Sequence, residues 1–322
     1  MLHCWAYRQP HINFDTKYFE QSNSLYATAV RANHMYPKVS ISCSKVSIII
    51  SFMDSDPSRK KYLYNTLRCL NNQYSKEFEI IFVEQYKDNP QLQDLRDYVD
   101  VYIPIQHPIF NLSWCRNVGA KASSGTKLLM LDADILLGVD YLQVILEVQT
   151  VFCMGWNRVF YLTPSGTLRV ISYFENFKER KGPFKEDLYE LINSLTATES
   201  EVGEGDYWAD LVPSTTTGNQ GISGVFDKYW YLNALGGYNE DFILWGGEDC
   251  DIMSRARALT GIYPQVSYPI FHLHHTRNNI QNGNNQCFLE ESMKNPIQIS
   301  NRLIESNIGN RAHPTYLLRG QL

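Results

Sequence analysis

The sequence predicts an α/β protein with a mostly parallel, twisted sheet that helices cover on both faces. Short apolar runs alternate with amphipathic stretches from residue 46 to about residue 151, and strands that alternate with helices at this spacing form βαβ units. The apolar runs are continuous and rich in β-branched residues, which is typical of strands buried on both faces. A chain of 322 residues with 44% hydrophobic content can bury a large core, in one large domain or two modest ones.

The predicted elements follow in chain order. VSIIISF (residues 46–52) predicts a buried strand, and after the polar turn MDSDPSRK an amphipathic helix follows through YLYNTLRCLNNQ. FEIIFVEQ predicts a second buried strand, and DNPQLQDLRDYV predicts a short helix that begins at Asp88 with Pro90 in its first turn. VYIPI is the candidate for a third strand.

The next segments lead into an acidic triplet. SWCRNVGAKASSG predicts a helix with Ser113 as its N-cap and a glycine stop. TKLLMLDADILL predicts a fourth strand that runs into Asp132-Ala133-Asp134, and residues 138–151 predict another helix. The alternation then breaks, and the polar, glycine-studded stretch of about residues 165–217 predicts a helical and loop insertion rather than sheet.

These segments divide the chain into three parts. Residues 1–45 show little periodicity and are expected to pack on the main body as an N-terminal extension. Residues 46–280 are the expected main domain, which includes the insertion. Residues 281–322 are expected to be a C-terminal tail that is weakly helical.

Charge and cysteine content narrow the function classes and the compartment. The net charge of −5 and the pI of about 5.9 do not indicate a nucleic-acid partner. Seven scattered cysteines without a CxxC pair favour a reducing compartment over a disulfide framework. The first residues lack the pattern of a secretory signal, and the longest apolar run is too short to span a bilayer. We therefore expect a cytoplasmic chain, either free or peripheral to a membrane.

Asp132 and Asp134 are the first candidates for chemistry. They follow an apolar strand, and open α/β sheets bind ligands outside the carboxyl ends of their strands. Two carboxylates at such an end can share one hard divalent cation and its bound diphosphate. The alternative is a polar turn that ends a strand, and the triplet alone does not decide between the two interpretations.

Trp245-Gly246-Gly247-Glu248-Asp249 is a second and more specific group. The glycines permit a sharp turn and loop motion, and both carboxylates fall in the first turn of a predicted helix, where negative charge complements the helix dipole. A structural account treats the glycines as a turn and the acids as caps. It does not explain the tryptophan beside them, which suits stacking on a sugar.

Three histidines lie within four residues near a strand-like end: His272, His274 and His275. Imidazole is a common ligand of transition metals and suits manganese when carboxylates share the site. The alternative for each histidine is to fill the core or the surface. The sequence contains no Walker loop, GxGxxG or GxSxG motif, which disfavours kinases, dinucleotide enzymes and serine hydrolases.

Taken in order, these segments resemble the GT-A fold glycosyltransferases (family 2-type), and most closely the β-1,4-galactosyltransferase and chondroitin-polymerase group. Polypeptide GalNAc-transferases share much of the pattern. The similarity covers roughly residues 46–280, and its most specific part is the WGGED block. It rests on VSIIISFMDSDPSRKKYLYNTL, IIFVEQ, SWCRNVGAKA, LLMLDADILL, GISGVFDKYWYLNALGGYNEDFILWGGEDCDIMSRARALTGI and HLHHTRN. The resemblance implies a Rossmann-like GT-A sheet, a UDP-sugar donor, a carbohydrate or glycoconjugate acceptor, and manganese, with magnesium as the alternative, as cofactor.

The resemblance also assigns roles to the metal and nucleotide residues. It implies that Asp134 is a metal ligand and that Asp132 contacts the ribose or the donor sugar. His275 falls on the family's metal histidine, and His272 falls where galactosyltransferases carry a methionine ligand. His274 is the rival of His272, because an HxH spacing also fits a metal.

For the reaction, the resemblance implies that Asp249 is the general base of an inverting transfer and that Glu248 contacts the donor sugar. Trp245 matches the tryptophan of a mobile loop. The remaining residues that it places at the substrate are Phe52, Asp54, Asp56, Arg116 and Gly247. The first turn departs from the family, because Asp54 and Asp56 stand where galactosyltransferases have arginines.

Two other functions remain open from the sequence. A nucleotidyltransferase that makes a nucleotide sugar also places acids at the end of a parallel sheet. It should have a glycine- and arginine-rich phosphate turn, and MDSDPSRK supplies only Arg59. A non-catalytic sugar-binding module on the same fold is the second alternative. Asp134, Asp249 and His275, all present in this chain, argue against that module.

Overall fold

The structure of the chain is a computed structural model, and it describes the following residues: 46–53, 57–176, 207–208, 223–244, 246–275, 283–306 and 308–310. The expected N-terminal extension, residues 1–45, lies outside this part of the chain. Of the expected insertion, only residues 165–176 and 207–208 are within it.

Six strands form the main sheet. They are β1 (Val46–Met53), β2 (Phe78–Tyr86), β3 (Val101–Gln106), β4 (Lys127–Leu131), β6 (Phe152–Met154) and β9 (Ser223–Asp227). Their order across the sheet is β3-β2-β1-β4-β9-β6. The first four are parallel, and β9 is antiparallel to both β4 and β6. The mixed but mostly parallel α/β sheet confirms the predicted fold class.

Four further strands form a second, smaller sheet. They are β5 (Ile135–Leu136), β7 (Arg158–Tyr161), β8 (Tyr207–Trp208) and β10 (Pro269–His272), in the order β5-β10-β7-β8. The run TKLLMLDADILL, predicted as one strand, is therefore divided between the two sheets. The chain leaves the main sheet at the acidic triplet, directly after the buried residues of β4.

The longer helices in the described ranges lie between these strands and at the C-terminal end. They are α1 (Pro57–Asn71), α2 (Leu112–Ala122), α3 (Tyr141–Glu147), α4 (Pro164–Asn176), α5 (Glu248–Thr260), α6 (Gly283–Lys294) and α7 (Pro296–Glu305). None of the described helices combines the length and apolarity needed to cross a bilayer.

The helix after β2 is shorter than predicted. The helix predicted from Asp88 is only a 3-10 helix, Gln93–Tyr98. The buried carboxylate of Glu84 accepts the backbone N–H of Gln91 at 2.6 Å and that of Leu92 at 3.2 Å. These bonds hold the chain before Gln93 against the end of β2, and the helix begins only after them.

The N-cap of α2 and the ends of two other helices also differ. Asn111, not Ser113, caps α2, since the Asn111 side chain accepts the N–H of Trp114 at 2.8 Å. The helix α1 begins at Pro57, a residue suited to a first helical turn. The helix predicted over residues 138–151 is shorter, because the chain after it joins the main sheet as β6.

The helix α2 packs unusually close to β1. A Cβ added at Gly119 would lie 2.5 Å from Cγ2 of Ile49, which is fully buried in the sheet. Glycine therefore permits this approach. The consequence is that the buried face of α2 lies directly against the sheet.

The described part of the expected weakly helical tail, residues 283–306 and 308–310, contains two helices that pack on the main domain. Both α6 and α7 contact α5, and α7 also contacts the π-helical turn Tyr231–Leu235. The apolar side chains of Ile299, Leu303 and Ile308 form a small buried cluster there with Leu232.

A buried ion pair ties α5 to the preceding turn. The guanidinium of Arg255 lies 2.6 Å from the Asp251 carboxylate, and neither side chain is exposed. Arg255 also donates to the carbonyl oxygens of Leu235 at 2.6 Å and Gly237 at 2.8 Å. These bonds fix α5 relative to the chain that leads into it.

We expect Arg255→Met to lower the free energy of unfolding by about 3–5 kcal/mol, because Asp251 would stay buried without its cation. The control is Arg257→Met, at an exposed position two residues later on the same helix, which should change it by less than about 0.5 kcal/mol. Urea unfolding followed by circular dichroism measures both values. Equal losses in the two variants would contradict a structural role for the buried pair.

Candidate active site

The carboxyl ends of three parallel strands meet at one edge of the main sheet. In the register of β1 with its neighbours, Phe52 pairs with Glu84, and Ile50 pairs with Leu131, the last residue before the acidic triplet. The ends of β1, β2 and β4 therefore bring polar side chains together at the place where open α/β sheets bind ligands.

Asp134 lies against two of the three histidines. Its carboxylate oxygens are 3.1 Å from Nε2 of His275 and 3.7 Å from Nε2 of His272. The three potential ligand atoms all lie within 4.8 Å of one another. His274 is exposed and does not belong to this group, although its backbone N–H donates to Oγ1 of Thr167 at 2.8 Å.

Strand pairing in the second sheet brings these residues together. β5 begins directly after the triplet and is antiparallel to β10, with His272 opposite Ile135. Just beyond this pair, the N–H of Leu273 donates to the carbonyl oxygen of Asp134 at 2.9 Å. The group of Asp134, His272 and His275 thus lies where the chain passes from one sheet to the other.

The donor set of this group fits a divalent transition metal. Nδ1 of His272 is 2.7 Å from the carbonyl oxygen of Leu273. A carbonyl only accepts, so Nδ1 carries the proton and the lone pair of Nε2 is directed to the Asp134 side, as in metal-binding histidines. Two imidazoles and one carboxylate are ligands that suit manganese better than magnesium.

A second cation lies beside the same carboxylate. Nη2 of Arg59, in the first turn of α1, is 3.1 Å from Oδ2 of Asp134. The guanidinium also lies over the ring of Phe52, 5.7 Å from its centroid. Burial alone would raise the pKa of the Asp134 carboxyl, but the two histidines and Arg59 hold that pKa below its usual range.

Arg116 joins two other acids of the predicted site. Its guanidinium is 2.7 Å from Oδ1 of Asp132 and 2.6 Å from Oδ1 of Asp249, and only 1% of its side chain is exposed. It also lies 4.7 Å from the centroid of the Tyr238 ring. Burial raises the pKa of Asp132 to about 7, although the Arg116 guanidinium opposes the rise. One buried cation therefore links the end of β4 to the start of α5.

Asp249 is held through only one of its oxygens. Oδ1 accepts from Arg116 and from the hydroxyl of Tyr238, the latter at 3.1 Å. Within the described ranges, Oδ2 has no hydrogen-bond partner, and 18% of the side chain is exposed. The carboxylate is thus oriented while one oxygen remains available to a bound molecule.

Glycine is required at the N-cap of α5, just before the two acids. Gly247 has a φ of 96°, and a Cβ there would lie 2.7 Å from the ring of Phe242. The carboxylate of Glu248 accepts the N–H of Gly246 at 3.1 Å. Burial raises the pKa of Glu248 to about 8, and the charge of Asp249 adds to the rise. The turn thus places a buried carboxyl group with a raised pKa directly beside Asp249.

A cleft of about 170 Å³ opens beside this edge, between the ends of β1 and β2. Its lining includes Met53 and Glu84 and, after β2, Lys87, Asp88, Asn89 and Gln91. The side chain of Gln85 shapes it, since Nε2 donates to the carbonyl oxygen of His107 at 3.1 Å and Oε1 accepts the N–H of Asn111 at 2.9 Å.

Several residues of this region were not among the predicted site residues. The pair Glu84–Gln85 could have been found by the argument used for the triplet, because polar residues end an apolar parallel strand. Arg59 is the one arginine of the first turn and carried a weaker signal, whereas nothing in the sequence marks Tyr238. Three predicted site residues, Trp245, Asp54 and Asp56, lie outside the described residues.

Two solved structures are similar to part of this chain. S. aureus TarS 1–349 in complex with UDP is 16% identical with a TM-score of 0.41, and the match covers 71% of this chain and 60% of that chain. The mannosyltransferase PcManGT from Pyrobaculum calidifontis, in complex with GDP-Man and Mn2+, is 14% identical with a TM-score of 0.42, over 83% of this chain and 68% of that chain.

A curated relative is the validoxylamine A glucosyltransferase of Streptomyces hygroscopicus subsp. jinggangensis (strain 5008). It is 24% identical over 222 residues, which are 62% of this chain and 49% of that protein. The chain thus spans about half the length of the curated relative. The model of the family described as "Glycosyltransferase like family 2" matches residues 47–291. This match covers well over half of the sequence, and the chain therefore belongs to the family 2-like glycosyltransferases.

Proposed function

We propose that the chain is a metal-dependent, inverting glycosyltransferase that moves a hexose or N-acetylhexosamine from a UDP-sugar to a hydroxyl of a saccharide or other acceptor. The observation that carries the proposal is that one buried arginine, Arg116, joins Asp132, beside the metal-ligand group, to Asp249, a carboxylate with one available oxygen. A donor bound at the first acid would place its anomeric carbon near the second.

Asp134, His272 and His275 are the proposed metal ligands, with manganese favoured over magnesium by the two imidazoles. The bound metal supplies Lewis-acid stabilisation of the charge on the leaving diphosphate. Arg59 adds a positive charge on the same side, since its guanidinium already lies 3.1 Å from Asp134. A phosphate group can take over that guanidinium as a charge-assisted hydrogen-bond partner.

We propose that the nucleoside of the donor binds in the cleft between the ends of β1 and β2. This cleft lies on the same edge of the sheet as the proposed diphosphate site at the end of β4, since β1 is the neighbour of β4. Asp132, which is 29% exposed, can then contact the ribose or the donor sugar. Glu248, which lies next to Asp249 at the start of α5, is the proposed contact to the donor sugar.

The proton of the acceptor hydroxyl goes to Asp249. Oδ1 is held by Arg116 and Tyr238, so Oδ2 is the oxygen that takes the proton. The acceptor oxygen forms a bond to the anomeric carbon while the bond from that carbon to the phosphate oxygen breaks. Attack from the face opposite the leaving group inverts the configuration at this carbon.

The family assignment favours sugar transfer over the two alternatives left open by the sequence. The curated relative is named as a glucosyltransferase, which supports a hexose as the transferred group. A non-catalytic module would have no need for a carboxylate that is oriented through one oxygen and open at the other. We therefore place the acceptor on the Asp249 side of the site.

The proposal predicts metal-dependent turnover of at least one donor. UDP release is measured with UDP-glucose, UDP-galactose and their N-acetylhexosamine counterparts, each with varied acceptors. Release should occur with manganese, fall to background with chelator, and return when manganese is restored, because the leaving diphosphate needs a counter-charge. Failure of every donor under these conditions would contradict the transferase proposal.

The metal ligands can be tested by binding alone. Asp134→Asn and His275→Gln should each weaken manganese binding at least about tenfold, since loss of even a group that supports a metal ligand costs that much. His274→Gln is the matched control in the same histidine cluster and should retain wild-type affinity. Isothermal titration calorimetry measures the three constants. A loss in His274→Gln equal to that in His275→Gln would instead support the HxH pair.

The role of Asp249 predicts a separation of binding from turnover. Asp249→Asn should lower kcat for transfer by about 10²–10⁴, the usual contribution of a general base, while the affinity for UDP-sugar and manganese is retained. Asp241→Asn, whose carboxylate pairs with Arg302 near the surface, is the control and should keep full activity. Loss of donor binding in Asp249→Asn would remove this residue from the base role.

A further inference from the structure

The turn before α5 has an unfavourable backbone conformation. Among the described residues, Leu244 is the one non-glycine with a positive φ, 62°, and Gly246 follows with a φ of 104°. A positive φ is costly for a leucine and persists only where the surroundings enforce it. Contacts from outside the turn must therefore hold it in place.

The side-chain amide of Asn285 spans this turn. Nδ2 donates to the carbonyl oxygen of Ile243 at 3.0 Å and to that of Gly246 at 2.8 Å. An amide nitrogen has two hydrogens, so both bonds can form at once. Asn285 is only 5% exposed and lies in the first turn of α6. One buried side chain thus binds two carbonyl groups of the chain that leads into α5.

Further contacts anchor the same turn from two directions. The N–H of Leu244 donates to the carbonyl oxygen of Phe110 at 3.0 Å. On the α6 side, the rings of Phe242 and Phe288 meet edge to face, with centroids 5.9 Å apart. Gly246 is followed directly by Gly247, Glu248 and Asp249. The position of the anchored turn therefore determines where the two acids lie.

We propose that Asn285 is a positioning residue for the proposed sugar transfer. Its amide holds the carbonyl groups of Ile243 and Gly246, just before α5, so that Glu248 and Asp249 are presented to the bound substrates. This role rests on the proposed function. It also gives the helix α6 a direct part in the site.

The contacts of Asn285 specify which property should change. The two hydrogen bonds of the Asn285 amide end on the carbonyl oxygens of Ile243 and Gly246, just before α5, and not on Asp134 or the two histidines near it. Loss of the amide should therefore reduce turnover and leave the binding of UDP with manganese intact. A general loss of stability would reduce both together.

The test compares Asn285→Asp and Asn285→Ala with wild type. The aspartate is nearly isosteric but places a carboxylate against two carbonyl oxygens, and the alanine removes the amide without adding charge. The control is Asn301→Asp, an exposed position on α7 that makes the same change in charge. The measurements are kcat for transfer, calorimetric affinity for UDP with manganese, and amide hydrogen exchange of a peptide covering residues 242–247.

Both Asn285 variants should lower kcat at least about tenfold, because small misplacements of catalytic groups are costly. Exchange in the 242–247 peptide should rise about tenfold or more, as a locally opened segment does, and UDP affinity should stay within about twofold. The control should match wild type in all three. Unchanged kcat in both variants, or a parallel loss of UDP affinity, would overturn the positioning role.

If wild type itself transfers no sugar, the transferase proposal fails, and the exchange data alone then decide whether Asn285 holds the turn. If the aspartate variant does not fold, the alanine variant decides the question.

Discussion

The site depends on the burial of one positive charge. Arg116 is almost completely removed from water, and a guanidinium in that position is stable only with carboxylates in direct contact. Asp132 and Asp249 meet this requirement from two elements that are far apart in the sequence. The end of β4 and the start of α5 must therefore lie within hydrogen-bond distance of the same side chain. The small volume of Gly119 lets the helix that carries Arg116 lie close enough to β1 for this to happen.

The metal-ligand group depends on a different constraint, the pairing of short strands in the second sheet. The three residues of the acidic triplet form the whole connection between β4 and β5, so the chain must turn sharply there from one sheet to the other. The antiparallel pairing of β5 with β10 then fixes His272 beside Asp134. Asp132 faces the buried arginine, and Asp134 faces the histidines. Two acids separated by one residue thus receive different neighbours, which is the physical basis for giving them different roles.

Features encoded locally could be predicted from the sequence. The apolar runs of β1 and β2 indicate strands because burial on both faces requires mostly apolar residues. The edge strand β3 alternates between buried and exposed residues in its second half. The structure places each of the three within one residue of its predicted end. Features decided by distant contacts could not be predicted. Asn111 and Ser113 are both good caps, and the bond from Gln85 to the N–H of Asn111 selects the first. Spacing alone also left the histidines undecided. The strand β10 ends at His272, so the alternation of side chains no longer applies to the two that follow.

Asn285 is another residue whose role could not be predicted from the sequence. Its neighbours in the sequence are asparagine, glycine and glutamine, and no motif includes it. Its importance follows from two hydrogen bonds to backbone carbonyls about forty residues earlier in the chain. Backbone carbonyls carry no sequence signal, so such a contact is visible only in the folded chain. Arg116 binds the carboxylate of Asp249. Asn285 binds backbone carbonyl groups just before α5. The proposed base is thereby held at both the side chain and the backbone, which suits a group that must take a proton from one direction.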